Sequence, residues 1–244
     1  MKKQFLFIIL FLFFGKALFS QANINYLDKQ PYLMISAGPL FPGERFSSSS
    51  ENGLFAKNGF LIGADINYII SHGIGIGFNY EYNNFGFNQD AFFEYSGANF
   101  MQREKNYASS KFGLNLLLNL PLQLGSEDWV INLYAKGKAG LRTMNIPEID
   151  LQYNEITNKY VEVSYRPRSG TFGYLGYSAG LQLFFLQKYG VNLSYTEVMG
   201  SRHSINYSVR KFDAAGQLYE LDDFINDRLD HYGFQIGFIL LFTN

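Results

Sequence analysis

Residues 229–242 read L-D-H-Y-G-F-Q-I-G-F-I-L-L-F, and taken every second residue they split into two unlike sets. Tyr232, Phe234, Ile236, Phe238, Leu240 and Phe242 form one wholly apolar face, whereas His231, Gly233, Gln235 and Gly237 form a polar or small one. A period of two is the repeat of a β-strand, whose successive side chains point to opposite sides of the sheet. A strand of this kind near the chain's end is an aggregation hazard if its edge stays open. The simplest partner is a first strand on a sheet closed upon itself.

The same alternation recurs upstream. A first strand is expected over about residues 31–41, with Leu33, Ile35 and Ala37 opposite Met34, Ser36 and Gly38. A second, about 59–69, sets Phe60, Ile62, Ala64, Ile66 and Tyr68 against Leu61, Gly63, Asp65, Asn67 and Ile69. Ile70-Ser71-His72-Gly73 turns it into a third, with Ile74, Ile76, Phe78, Tyr80 and Tyr82 opposite Gly75, Gly77, Asn79, Glu81 and Asn83. A fourth over 110–120 and a fifth from Ile131 to Arg142 put Lys111, Asn115, Lys136, Lys138 and Arg142 on the polar face. A sixth follows around 175–185 and a seventh around 191–196. Connections alternate between short (70–73, 121–128, 187–190) and long (42–57, 84–109, 144–173, 197–228), and the third long one holds a projecting hairpin, 149–153 with 161–165. The expected fold is therefore all-β: an eight-stranded antiparallel up-and-down transmembrane β-barrel, with short turns on one side of the membrane and long loops on the other.

Composition agrees with that reading. Aromatics make up 18% of the 244 residues and glycine contributes 24, both suited to barrel strands, while the absence of Cys excludes disulfides and thiolate metal sites. Met1-Lys2-Lys3, the apolar run Phe5 to Phe14 and the small residues Ser20 and Ala22 form the pattern of a secretory signal peptide. The expected domains are thus 1–22, signal peptide, and 23–244, barrel. Removing that segment leaves 17 of the 20 basic residues against 21 acidic ones, a net charge of about −4 that argues against nucleic acid as a partner.

A soluble, lipocalin-like barrel would show the same period with its faces exchanged. Glycine decides between them. Gly63, Gly75, Gly77, Gly113, Gly140, Gly176, Gly180, Gly233 and Gly237 all fall on the polar face, as a narrow lumen requires, while bulky Leu, Phe and Tyr crowd the other. The charges on the inner face, Asp65, Glu81, Lys111, Lys136, Lys138 and Arg142, are expected to form a lumen charge network, because isolated charges there would be costly.

The terminal strand of alternating aromatics, with Phe242 beside the chain end, resembles the assembly signal of bacterial outer-membrane barrels. Leu118-Asn-Leu-Pro-Leu-Gln-Leu124, followed by Leu133-Tyr-Ala-Lys-Gly-Lys-Ala-Gly140, is similar to the strand, proline turn and glycine-bearing strand of small OmpA-like barrels, in particular the PorT-like porin-family proteins. The resemblance implies a place in the bacterial outer membrane, with long loops extracellular and both termini periplasmic. It further implies contact with outer-membrane lipid and with the assembly machinery through the C-terminal strand.

Phe87, Phe92, Phe93 and Phe100 cluster in the second long connection, where they either form a small loop core or offer a surface to a protein partner. Catalytic constellations are weak. Ser201-Arg-His-Ser204 with Glu197 lies where some outer-membrane barrels carry a lipid-modifying site, but their His-x-Ser spacing would put serine at 205, which is Ile205. His72 and His231 are separated from His203 and make no metal site. The expected function is therefore non-enzymatic and needs no cofactor: an envelope-structural or partner-binding barrel, with a narrow channel for small solutes as the alternative.

Overall fold

The computed structural model of the chain describes residues 27–49, 53–123, 129–154, 160–167, 170–186, 188–200, 202–212 and 215–242. The proposed signal peptide, Ser201 and part of the 154–159 turn lie outside the described residues. Thirteen strands and two short helices are present among those described. In chain order they are β1 (Pro31–Pro42), α1 (Glu44–Ser47), β2 (Ala56–Ser71), β3 (Ile74–Phe87), α2 (Gln89–Ser96), β4 (Phe100–Glu104), β5 (Tyr107–Gln123), β6 (Trp129–Asn145) and β7 (Glu148–Asn154). There follow β8 (Tyr160–Pro167), β9 (Gly170–Phe185), β10 (Tyr189–Gly200), β11 (Arg202–Phe212), β12 (Leu218–Arg228) and β13 (His231–Leu241).

Eight of the strands close an antiparallel barrel in the order β1-β13-β10-β9-β6-β5-β3-β2. Closure is made by the terminal strand, whose Ile236, Phe238 and Leu240 lie opposite Ala37, Ile35 and Leu33 of β1. Gly38 is needed where the two backbones approach, since a Cβ there would stand 1.8 Å from the carbonyl oxygen of Phe234. At the opposite end of the barrel, His72 and Gly73 both have positive φ and close the β2–β3 hairpin as a two-residue turn.

The alternation read from the sequence sorts the side chains as expected. Outward-facing Phe78 and Ile236 are 67% and 69% exposed, and Ile66, Leu114, Leu141 and Leu175 stand on the same wall. So much exposed hydrocarbon is incompatible with water, and the wall is that of a membrane-spanning barrel. Aromatic rings mark both margins. Trp129, Phe185, Tyr189 and Phe238 form a chain of ring contacts toward the short turns, and Phe41, Tyr195, Tyr232 and Phe234 form another toward the long connections.

The long connections depart from the expectation of irregular loops. The anticipated hairpin is present as β7 and β8, but β4, β11 and β12 join it in a five-stranded sheet, order β12-β11-β8-β7-β4, beyond the barrel rim. The barrel strands are also longer than expected: β3 runs on to Phe87 and β5 starts at Tyr107. Phe85, Phe87 and Tyr107 point inward at these extended ends and are buried. Burying them is what draws the strands past the membrane band.

Candidate functional site

The lumen has three layers. Toward the short turns, Tyr32, Met34, Ile69, Leu117, Phe184 and Ile239 belong to a buried apolar cluster that fills the bore. In the middle lie the charges. Glu81 is held between Lys138, on its Oε1, and Lys111, 2.5 Å from its Oε2. Asp65 accepts from Lys136 at 3.1 Å and from the Asn115 amide at 2.9 Å. Arg142 is held differently, donating to the Ser109 hydroxyl at 2.8 Å and the Leu229 carbonyl at 2.9 Å. Neutral bonds fill the gaps, among them Asn79 to the Tyr174 hydroxyl at 2.8 Å and Asn132 to Gln182 at 2.7 Å. The Lys111 ammonium lies 3.2 Å from His231 Nε2, and since an ammonium only donates, that nitrogen accepts while Nδ1 faces the Leu229 carbonyl.

An aqueous pore would leave such groups wet. Instead Lys111, Lys136, Lys138, Asp65 and Glu81 are 1%, 2%, 4%, 4% and 3% exposed. The third layer explains why. Leu40, Phe46, Leu61, Phe85, Tyr107 and Met144 belong to a second apolar cluster that caps the end at the long connections, and Phe46 stacks edge-on against both Phe85 and Tyr107. Phe87 and Phe92 join this cap, with Phe92 edge-on to Phe55 at 5.1 Å. Phe93 and Phe100 do not; they are exposed, as is Tyr95. The four phenylalanines expected to act together thus divide between a loop core and the surface.

The outer sheet sits on the cap. Ile149, Leu151 and Met101 from β7 and β4 are buried in it, with Val163 and Tyr165 of β8 packed alongside. The opposite face of the sheet follows from the register, which aligns Gln102, Asp150, Ser164, Arg210 and Glu220 in one row and Arg166, Ser208 and Asp222 in another. Glu104 and Glu148 are paired across β4 and β7, and Glu162 lies on the same face of β8 two residues from Ser164. By the same register Arg202 and Arg228 are paired on this face, so six acidic positions share it with four arginine positions, 166, 202, 210 and 228. Arg166 binds Asp150 at 2.7 Å, and Lys105 reaches Glu148 at 2.6 Å. Burial alone would raise the Asp150 carboxyl, but hydrogen bonds from Arg166 and Ser164 and the adjacent guanidinium charge outweigh it and hold the group below its ordinary value. This charged face was not found from the sequence, because its residues are scattered over several strands.

Of the Ser201, His203, Ser204 and Glu197 group, only Glu197 has a described side chain. Glu197 lies on the outer wall of β10, where Oε2 accepts from the hydroxyls of Tyr177 at 2.5 Å and Tyr195 at 2.8 Å, so its oxygen is engaged within the aromatic margin. The side chains of His203 and Ser204 lie outside those described. Ser71 Oγ is 2.5 Å from His72 Nδ1, but the nearby Asp28 carboxylate accepts from the backbone N–H of His72 and Gly73 and braces the turn. Among the described residues no group of three or more His, Cys, Asp or Glu could hold a metal ion.

These features define the class: a closed, eight-stranded membrane barrel with a packed lumen and an outer sheet. No protein-family model matches the chain, and no curated protein matches it. Among solved structures it is similar to Neisserial surface protein A, at 11% identity over 87% of this chain and 97% of that one, TM-score 0.45. It is also similar to OprG of Pseudomonas aeruginosa, at 12% identity over 90% and 99% of the two chains, TM-score 0.44. A major outer membrane protein of Thermus thermophilus matches at 9% identity over 87% and 99%, TM-score 0.43.

Proposed function

We propose that this chain is a non-enzymatic barrel of the bacterial outer membrane, of the small OmpA-like and PorT-like porin-family type, whose task is to hold a β-sheet at the cell surface for a protein partner. Short turns and both chain ends face the periplasm in this reading, and β13 is the strand offered to the assembly machinery. The observation that carries it is the burial of the lumen charges between two apolar clusters. A lumen so filled supports the sheet and leaves nothing for a solute to pass through, which favours presentation over the channel reading.

Orientation is testable by insertion of epitope tags. A tag within residues 213–216 or at Asn154 should be reached by antibody on intact cells, and a tag at Ser126 only after the outer membrane is opened. Labelling of the Ser126 tag alone on intact cells would reverse the orientation and remove the surface role.

A further inference from the structure

The outer sheet ends in β12, and among the described residues no strand pairs with its far side. The row of backbone N–H and C=O groups along that side is therefore a template for a further strand. From Leu218 to Asp222 five consecutive side chains are exposed, on both faces of the strand. The two faces differ in chemistry. Glu220 and Asp222 make one face of this segment acidic, whereas Tyr219 and Leu221, the latter 66% exposed, lie on the face that elsewhere packs on the barrel cap.

From this geometry we infer that β12 is a docking edge for an extended segment of another protein in which basic and apolar residues alternate. Added as a sixth strand, such a segment lays its basic residues beside Glu220 and Asp222 and its apolar residues beside Tyr219 and Leu221, because cross-strand neighbours lie on the same face. Arg210, 3.3 Å from Glu220, balances one of these two carboxylates. A second copy of this chain fits poorly: two β12 strands paired antiparallel about Leu221 would set Glu220 against Asp222 twice, and like charges directly opposite are destabilising. The inference rests on the surface-presentation reading and names its partner class.

The test uses the full chain refolded into phospholipid nanodiscs, with folding confirmed by circular dichroism, and fluorescein-labelled peptides followed by anisotropy. Lys-Val-Lys-Val-Lys-Val-Lys has the required alternation; Lys-Lys-Lys-Lys-Val-Val-Val has its composition without it. The alternating peptide should bind saturably and at least about tenfold tighter than the block isomer, and N-methylation of every peptide nitrogen should abolish binding, since strand addition needs those donors. In the double variant Glu220→Lys, Asp222→Lys the preference should invert toward Glu-Val-Glu-Val-Glu-Val-Glu, a gain that misfolding would not produce. Equal binding of alternating and block peptides would reduce the effect to non-specific charge and overturn the proposal. So would indifference to the charge reversal, or sedimentation showing dimers lost in the double variant, which would assign the edge to a second copy. A folded barrel whose tags are surface-exposed but which binds neither peptide overturns the docking edge alone, leaving the wider reading intact.

Discussion

Glu81 is the single carboxylate between two buried ammonium groups, Lys111 and Lys138. Removing it strands both charges in a buried site. Glu81→Ala should therefore lower the unfolding free energy by about 3 to 5 kcal/mol in urea titrations from lipid or detergent, where breaking a surface pair costs under ~1 kcal/mol. A loss near that surface value would mean the lumen is wet. Asp150, in the outer sheet, responds to pH. Its folded carboxyl titrates below the unfolded one, so the unfolded chain binds more protons between the two values and stability rises with pH there. The contribution is complete above the unfolded value of about 4 and is lost as pH falls through the folded one. Hydrogen exchange at β7 and β8 should accelerate below about pH 4 in the wild type and should respond less in Asp150→Asn. Alternation alone placed the lumen charges on the inner face. Their partners were less legible, because Glu81 and Lys111 sit opposite one another on paired strands while Lys138 arrives from β6, beyond β5. Which lysine reaches which carboxylate depends on the stagger of the closed barrel, a quantity no single strand carries.

The membrane wall is carried by strands such as β13, where Ile236 stands outward near the middle. Ile236→Arg should destabilise the barrel in bilayers by about 2 to 4 kcal/mol, the depth-dependent cost of a guanidinium in hydrocarbon, and Leu221→Arg on the outer sheet should cost little. Equal, small effects in both would return the wall to water. The barrel strands were readable because each has one side that is apolar through its middle. The outer strands were not, apart from β7 and β8, whose apolar residues alternate. β12, Leu218–Arg228, mixes charged and apolar residues on both sides and shows no stripe, and β11, Arg202–Phe212, has only a short one, Ile205, Tyr207 and Val209, between His203 and Lys211. They are strands because β8 and the barrel rim hold them in register, which is tertiary information. Phe93, Tyr95, Phe100 and Tyr219, exposed on or beside the same sheet, are among the aromatic residues its packing does not absorb.

For the whole molecule, the outside is built for hydrocarbon, the inside is filled, and the surface chemistry has moved to the sheet above the rim. The lumen layers follow one another as apolar, charged and apolar, so an ion crossing the barrel would have to displace two packed clusters and then pass four cationic groups held by side chains and backbone. Presentation without conduction is the claim on which the functional reading stands. Single-channel recording of the purified wild-type barrel in a planar bilayer tests it most directly. Sustained voltage should produce no stable conductance steps above those of the protein-free membrane, whereas reproducible, long-lived openings from the folded wild type would contradict the sealed lumen and make the protein a channel.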